Sequence, residues 1–220
     1  MADDLNYGYK GADVPQSFGN NKGVFDPADI NNLVKDDKWT NYGQLELIET
    51  QTFSGATANI DFTSIDESTY NVHFMTFNNL QNSGGASADL SVRFYESGVL
   101  ETASVYQYAY QQCGVAGSFY ENRSTGANHI RFDNTGSENW VQHLYVYLYN
   151  LGDANKYSFT TQQAMPRRNT TGGSYNSAGT FAMFGSGVLP QTSVVDGIQI
   201  YNSATTSTGG TASLYGIAES

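Results

Sequence analysis

Apolar and polar residues alternate along most of the chain, and this alternation begins near Gln44. A period of two residues is typical of β-strands that bury one face. The longest example spans residues 140–149, in which Leu144, Val146 and Leu148 alternate with Tyr145, Tyr147 and Tyr149. Further strand patterns are found at residues 44–47, 58–62, 70–77, 90–94, 129–132, 157–163, 180–184, 194–201 and 211–217.

Short turns rich in Gly and Asn separate these segments, and no helical period lies between them. Glu96-Ser97-Gly98 is predicted to be a hairpin loop, after which the chain returns at Val99. About ten strands at spacings of roughly 10–15 residues predict an all-β fold, either an antiparallel β-sandwich or a jelly roll.

One short helix is predicted before the first strand. Asp26 is a suitable N-cap and Pro27 suits the first helical turn. The apolar stripe of this helix is short, so the helix is expected to dock on another surface. We predict the docking residues to be Phe25, Ile30, Leu33, Val34 and Trp39.

The sequence predicts two parts. Residues 1–43 form an extended arm followed by the docking helix, and residues 44–220 form the sandwich. The arm lacks periodicity but contains aromatic residues such as Tyr7 and Phe18 in a setting of Gly and Asn. Two interpretations stay open, because these rings can anchor the arm on a neighbouring protein or cover the chain's own sandwich.

Composition narrows the functional classes. The formal net charge is −11 and the sequence pI is about 4.4, which argues against sequence-independent binding to nucleic acid. Charged residues make up 14% of the chain, against about 25% in an average soluble protein. A polar surface with so little charge suits contacts with proteins or sugars. The 16 tyrosines fit the same interpretation.

The sequence also suggests a cellular compartment. Cys113 is the one cysteine, so no internal disulfide is possible. Met1-Ala2-Asp3-Asp4 is not a signal-peptide start, and no apolar run approaches the roughly 20 residues of a membrane helix. We therefore expect synthesis in a reducing cytosol and no membrane insertion.

A search for reaction chemistry is negative. No nucleophile elbow, zinc-protease motif or phosphate-binding loop occurs, and the three histidines, His73, His129 and His143, lie far apart in strand patterns. Glu96 and Glu101 would suit a glycosidase only if they faced each other about 5–10 Å apart. Asp153-Ala154-Asn155 lacks the other ligands of a calcium loop. We predict no enzymatic activity, no cofactor and no metal.

Two rows of tyrosines are the strongest local feature of the sequence. Each row places three rings on one face of a strand, where they suit a protein interface or stacking on sugars, although packing between sheets is the alternative. For the second row, the apolar residues that alternate with it already supply a core face. The predicted contact residues are Tyr106, Tyr108, Tyr110, Tyr145, Tyr147 and Tyr149.

Several segments resemble structural proteins of marine bacteriophages. The resemblance lies in residues 21–39, which run from Gly23-Val24-Phe25 through the helix to Lys38-Trp39, and in residues 72–79, 90–94 and 197–217. It implies a virion component with a β-sandwich, placed outside the capsid or on the tail. It carries over no catalytic residues.

The expected function is therefore a non-enzymatic accessory structural protein of a phage virion, localised in the particle after assembly in the host cytoplasm. Capsid decoration (cement) and a tail- or fibre-associated role both fit. The expected partners are other capsid or tail proteins and further copies of the chain in a trimer or dimer. The alternative is a carbohydrate-binding module for adhesion to a host-surface glycan, followed by a hydrolase of host polysaccharide.

Overall fold

The computed structural model describes residues 27–35, 44–82, 89–114, 117, 119–134, 141–167, 181–202 and 206–218. The chain divides into two units, Met1–Gln44 and Leu45–Ser220. The first unit contains the helix α1 (Pro27–Lys35), which confirms the predicted helix. In α1, Ile30 and Leu33 are half-buried, whereas Val34 is exposed. The predicted docking residues Phe25 and Trp39 lie outside the described residues.

The second unit consists of antiparallel strands and confirms the all-β fold class. The described strands are β1 (Leu45–Thr52), β2 (Asn59–Phe62), β3 (Val72–Asn82), β4 (Asp89–Glu96), β5 (Val99–Leu100), β6 (Tyr106–Gly114), β7 (Phe119–Ala127), β8 (Ile130–Asn134), β9 (Val141–Tyr149), β10 (Ser158–Arg167), β11 (Phe181–Leu189), β12 (Val195–Asn202) and β13 (Ser207–Ile217).

These strands form two sheets with a sandwich-like arrangement. The large sheet has eight strands in the order β1-β13-β3-β9-β10-β11-β6-β7. The small sheet has the order β2-β12-β4-β5, and β8 also pairs with β4. Strands distant in sequence are neighbours in both sheets, so most of the pairing is long-range.

One hydrophobic core lies between the inner faces of the two sheets. The large sheet contributes Leu144, Val146 and Leu148, and the small sheet contributes Val92 and Phe94 among others. All five side chains are at most 5% exposed. Burying such side chains stabilises the fold by about 1.5–3 kcal/mol each, before conformational entropy is subtracted. This burial explains the period of two that marks the strands in the sequence.

The two sheets approach closely at Gly187 of β11. A Cβ atom at this position would lie 2.3 Å from Cγ2 of Ile130, a fully buried residue of β8 in the small sheet. No real Cβ tolerates such a contact, so the spacing between the sheets here depends on glycine.

Gly187→Ala should therefore destabilise the protein by about 1–3 kcal/mol, because the fully buried Ile130 would have to shift within the core. Thermal unfolding measures the loss, at about 2–4 °C for each kcal/mol in a domain of this size. Gly126→Ala in β7 is the matched control, since its new Cβ would lie an ordinary 3.5 Å from the Ser104 carbonyl oxygen. Equal melting temperatures for the two variants would show that this contact does not set the spacing.

Strand β7 was not predicted from the sequence. It lies at the edge of the large sheet and is largely exposed, with no buried face along Phe119–Ala127. A strand without a buried face has no hydrophobic period, so its pairing with β6 leaves no pattern in the sequence.

Candidate interaction surface

The outer face of the large sheet carries a continuous set of aromatic side chains, here called the aromatic face. Its members come from five adjacent strands that the register places side by side. Tyr147 of β9 lies opposite Phe74 of β3 and Thr161 of β10. The aromatic face consists of Phe74, Tyr145, Tyr147, Tyr149, Phe159, Phe184 and Tyr215.

Most of the rings in this face contact one another. The Phe74 ring centre lies 4.7 Å from that of Tyr147 and 6.2 Å from that of Tyr215. Tyr145 packs edge-on against Tyr147 at 6.1 Å, and Tyr149 stacks on Tyr147 at 6.3 Å. Such ring pairs contribute about 0.5–1.5 kcal/mol beyond the burial of their area. Five of the seven rings, those on β3, β9 and β13, therefore form a packed layer in which each ring helps to fix its neighbours.

Hydroxyl groups of the same tyrosines bond to polar side chains of β10. The Tyr145 hydroxyl donates to the Gln163 side-chain oxygen. The Tyr149 hydroxyl and the Thr161 hydroxyl are 3.3 Å apart. These contacts hold the rings along the sheet, so the face is ordered without a bound partner.

The aromatic face is accessible in the isolated chain. Tyr145 is 38% exposed, Phe159 43% and Phe184 49%. The side chains that alternate with Tyr145, Tyr147 and Tyr149 fill the core. The sequence-based prediction that this tyrosine row points outward is therefore confirmed by its placement, while its binding role stays a prediction.

Carboxylates and lysines are absent from the central strands of the large sheet. The six strands from β13 to β6 contain no Asp, Glu or Lys, and Arg167 at the end of β10 is their one arginine. Charged residues such as Glu49 and Arg123 occur on the edge strands β1 and β7, where charge opposes edge-to-edge aggregation. The small sheet, in contrast, carries charge on β2, β4, β8 and β12.

Enrichment in tyrosine and phenylalanine with depletion of charge distinguishes the centre of protein interfaces from ordinary surface. Large exposed apolar patches on a soluble chain also mark interaction sites. The aromatic face meets both criteria, and it is the candidate interaction surface of the second unit.

The other predicted tyrosine row does not form a surface. Tyr106 is fully buried and Tyr110 is 5% exposed, so a contact role for these side chains does not fit the structure. The Tyr106 hydroxyl accepts from the Phe94 amide at 3.0 Å and donates to the Glu101 carbonyl at 3.2 Å. Burial raises its pKa well above the ordinary value. Tyr108 is half-buried and packs against the core.

The tyrosines of β6 are buried because they lie on the face of the strand that points towards the small sheet. Its other face carries Gln107, Ala109 and Gln111, all exposed. Either face of β6 could lie at the surface, because one carries tyrosines and the other carries polar or small residues. The tyrosine face can be buried because the tyrosine hydroxyl groups find hydrogen-bond partners there.

The outer face of the small sheet carries a row of polar side chains that the sequence analysis missed. Gln199 of β12 lies opposite Asp61 of β2 on one side and Arg93 of β4 on the other. The Oδ1 atom of Asp61 accepts from the Gln199 amide at 2.9 Å and from the Tyr95 hydroxyl at 2.8 Å. Gln199 is 6% exposed because its neighbours cover it.

Arg93 is held at two points. Its Nε donates to the Asn128 carbonyl at 2.9 Å, and its guanidinium carbon lies 4.2 Å from the centre of the Tyr201 ring. A guanidinium over a tyrosine ring gains about 0.5–2 kcal/mol, depending on how far it is desolvated. Arg93, Gln199 and Tyr201 lie 32, 138 and 140 positions from Asp61 in the sequence, so no local motif could have revealed the row.

His129 lies at the margin of this row. Its ring stacks on Tyr108 at 6.1 Å and packs edge-on against Tyr201 at 5.8 Å. Burial, together with the positive charges of Arg93 and Arg131, lowers the pKa of His129 to about 4. The histidine is therefore neutral at physiological pH.

The pKa of His129 predicts a loss of stability in acid. A group whose pKa is lower in the folded state than its ordinary value of 6.5 stabilises the fold above that value, and the contribution is lost as the pH falls towards 4. The loss should be on the order of 1–3 kcal/mol, because solvent screens part of the shift at this partly exposed ring. We expect the free energy of unfolding, measured with denaturant, to fall between pH 6.5 and 4, and His129→Gln to flatten that slope. His143→Gln, an exposed position on the other sheet, is the control and should retain it.

The two remaining histidines each bond to a backbone group. His73 is fully buried, and its Nε2 lies 2.6 Å from the Ile65 carbonyl, to which it donates. Burial lowers the pKa of His73. The exposed His143 accepts from the Asn79 amide at 3.3 Å through Nδ1. Across the part of the chain that the structure describes, no three metal-ligating side chains come together.

The acidic pair Glu96 and Glu101 is bonded to its surroundings. Glu96 accepts from the Ser193 hydroxyl. Glu101 accepts from the Ala103 backbone amide at 2.6 Å, and the Gln191 side-chain amide donates to the two Glu96 carboxylate oxygens at 3.0 and 2.8 Å. Through these contacts, the two carboxylates stabilise the loops beside the small sheet.

Asp153, considered above as a calcium ligand, bonds to Lys156 at 2.8 Å and to the Asn155 amide at 2.9 Å. The Lys156 ammonium holds the pKa of this exposed carboxyl below its ordinary value. Lys156 thus pairs with one of the two carboxylate oxygens of Asp153.

Cys113 is a half-buried free thiol.

Within the described ranges, no helix has the length and hydropathy required to cross a bilayer. The chain matches no protein-family model, no curated protein and no solved structure.

Proposed function

We propose that the chain is a non-enzymatic accessory structural protein of a bacteriophage virion, either a capsid decoration protein or a component associated with the tail or a fibre. The observation that carries the proposal is the aromatic face of the large sheet, an exposed ring layer across strands that lack carboxylates. The sequence resemblance to phage structural proteins supports the same function.

The proposal includes self-association into a dimer or trimer through the aromatic face. Each copy carries a net charge of −11, so two copies repel one another wherever their carboxylates meet. The central strands of the large sheet are the region in which two copies can meet without such repulsion. The outer face of six strands, spaced about 4.8 Å apart and about 25 Å long, has an area of roughly 600–700 Å². This area is close to the roughly 800 Å² that each partner buries in a standard interface.

In this proposal, residues 1–43 attach the protein to the particle, with α1 as the docking element. The half-burial of Ile30 and Leu33 and the exposure of Val34 leave apolar surface on α1 for a partner. Attachment through one unit and self-association through the other would let the sandwich project from the virion.

Mass spectrometry and cryo-electron microscopy of phage particles purified from a host culture that carries the gene test the proposal. We expect the chain in washed particles at a copy number that matches a capsid or tail symmetry, with density for a β-sandwich on the outside. Particles that lack the chain, with the protein left in the lysate, would overturn the proposal.

A further inference from the structure

Tyr95 lies across the small sheet instead of projecting away from it. Its backbone pairs with Gly197 on β12, and its hydroxyl reaches Asp61 on β2, the strand beyond. A Cβ atom at Gly197 would lie 3.0 Å from Cδ2 and 3.1 Å from Cβ of Tyr95. Glycine at position 197 therefore allows the tyrosine to lie close against the strand, with its long axis along the sheet surface.

Hydrogen-bonding capacity remains at two places in the same row, on the two sides of Gln199. Asp61 uses Oδ1 for Tyr95 and Gln199, and its Oδ2 has no partner among the described residues. Arg93 uses Nε for the Asn128 carbonyl, and within the same part of the chain its two Nη atoms have none. Asp61 and Arg93 are two strands apart, about 10 Å between their backbones. The row thus presents a free acceptor and free donors at a fixed separation.

Both groups are ordered before any ligand binds. Asp61 is fixed by two hydrogen bonds, and Arg93 is fixed by the Asn128 carbonyl and by the Tyr201 ring. Exposed arginine and aspartate side chains usually lose conformational freedom when they bind, and that loss weakens affinity. Side chains fixed in advance avoid this loss, which favours a binding role for the row.

The arrangement selects for hydroxyl groups. A hydroxyl both donates and accepts, so a molecule that carries several hydroxyls can donate to Asp61 and accept from Arg93. Hydrogen bonds with a charged partner are the stronger ones. The exposed side of the Tyr95 ring, whose hydroxyl bonds to Asp61, offers an apolar platform in the same row. An anionic ligand is disfavoured, because Asp61 lies in the row and the chain carries a net charge of −11.

We propose that the outer face of the small sheet is a binding site for an uncharged saccharide, which stacks on Tyr95 and bonds to Asp61 and Arg93. The site lies on the opposite sheet from the aromatic face and does not depend on the virion proposal. It assigns sugar binding to residues outside the two tyrosine rows.

Affinity electrophoresis of the full chain tests the proposal, in native gels that contain dextran, galactomannan or xyloglucan. Polygalacturonate serves as the charged comparison. We expect retardation in at least one of the neutral gels and none in polygalacturonate. Tyr95→Ala and Arg93→Gln should each weaken the retardation about tenfold or more, whereas Tyr95→Phe, which keeps the ring, should lose only a few-fold. Arg123→Gln on β7 is the matched control and should migrate like the wild type.

Circular dichroism of each variant first establishes that the fold is intact. If no neutral polysaccharide retards the protein, the proposal is wrong. It is also wrong if Tyr147→Ala, on the aromatic face, removes retardation while Tyr95→Ala does not, because the sugar then binds to the other sheet. Preferential retardation by polygalacturonate would overturn the assignment of an uncharged ligand.

Discussion

Thr161→Glu should convert the self-associated protein to monomers. Thr161 lies on β10 beside Tyr147, near the centre of the aromatic face, and its side chain is exposed. In a monomer the new carboxylate points to solvent, so the free energy of unfolding should change by less than about 1 kcal/mol. In an oligomer built on this face the carboxylate would be buried without a partner. That costs about 3–5 kcal/mol, which weakens association by more than about 100-fold.

Light scattering and sedimentation measure this effect at matched protein concentrations, and circular dichroism confirms the fold. Thr52→Glu is the matched control: it makes the same substitution on the edge strand β1, which already carries Glu46 and Glu49. The control should associate like the wild type. If Thr161→Glu associates equally well, the copies meet elsewhere and the aromatic face has another partner. A wild type that is monomeric at all accessible concentrations would rule out self-association through this face.

The sequence predicts the fold class well because most strands bury one face. Leu144, Val146 and Leu148 must be shielded from water, and a two-residue period is the simplest way to place them on one side of a strand. The same requirement makes the outward direction of Tyr145, Tyr147 and Tyr149 predictable. Strand β7 has no buried face, and so it escaped prediction.

Which strands are neighbours could not be predicted. The two strands beside β9 are β3 and β10, and β3 is far from it in sequence. Alternation states which side of a strand is buried but not what lies beside the strand. The extent of the aromatic face is therefore a structural finding, since it depends on Phe74 and Tyr215 being brought alongside Tyr147.

The tyrosine row on β6 shows a second limit of sequence reasoning. Tyrosine is compatible with both surface and core, because its hydroxyl can be satisfied in either place. Tyr106 is buried with two backbone partners, whereas Tyr145 is exposed with a side-chain partner. The decisive information is the identity of the alternate residues, which are strongly apolar on β9 and polar or small on β6.

The polar row of the small sheet lies beyond sequence reasoning of this kind. Asp61, Arg93 and Gln199 come from three separate segments and have no shared spacing. Their arrangement depends on register, and a shift of one residue in any of the three strands would turn that side chain to the core. Gly197 is the one local clue, because a glycine within a strand often marks a close approach by another group.

A chain that begins at Leu45 should fold on its own and fail to join the particle. Among the described residues, every member of the hydrophobic core cluster lies between Phe53 and Leu214, so the truncation removes none of these core side chains. Strand β1 remains complete, with Leu45 paired to Ile217. We expect a soluble protein with a strand-rich circular dichroism spectrum and cooperative thermal unfolding. Its melting temperature should lie within a few degrees of that of the full chain, since about 1 kcal/mol corresponds to 2–4 °C.

The same truncation removes α1 and all the predicted docking residues, so its copy number in purified particles should fall to background. The double variant Leu33→Ala, Trp39→Ala in the full chain should reduce incorporation, because each side chain that is fully buried on docking contributes about 1.5–3 kcal/mol. The melting temperature of the sandwich should not change. Asn31→Ala, at an exposed position of α1, is the control and should incorporate normally. Normal incorporation of the truncated chain would place docking on the sandwich. Loss of its cooperative unfolding would instead make residues 1–43 part of the folded domain, because an independent unit keeps its core when its neighbour is removed.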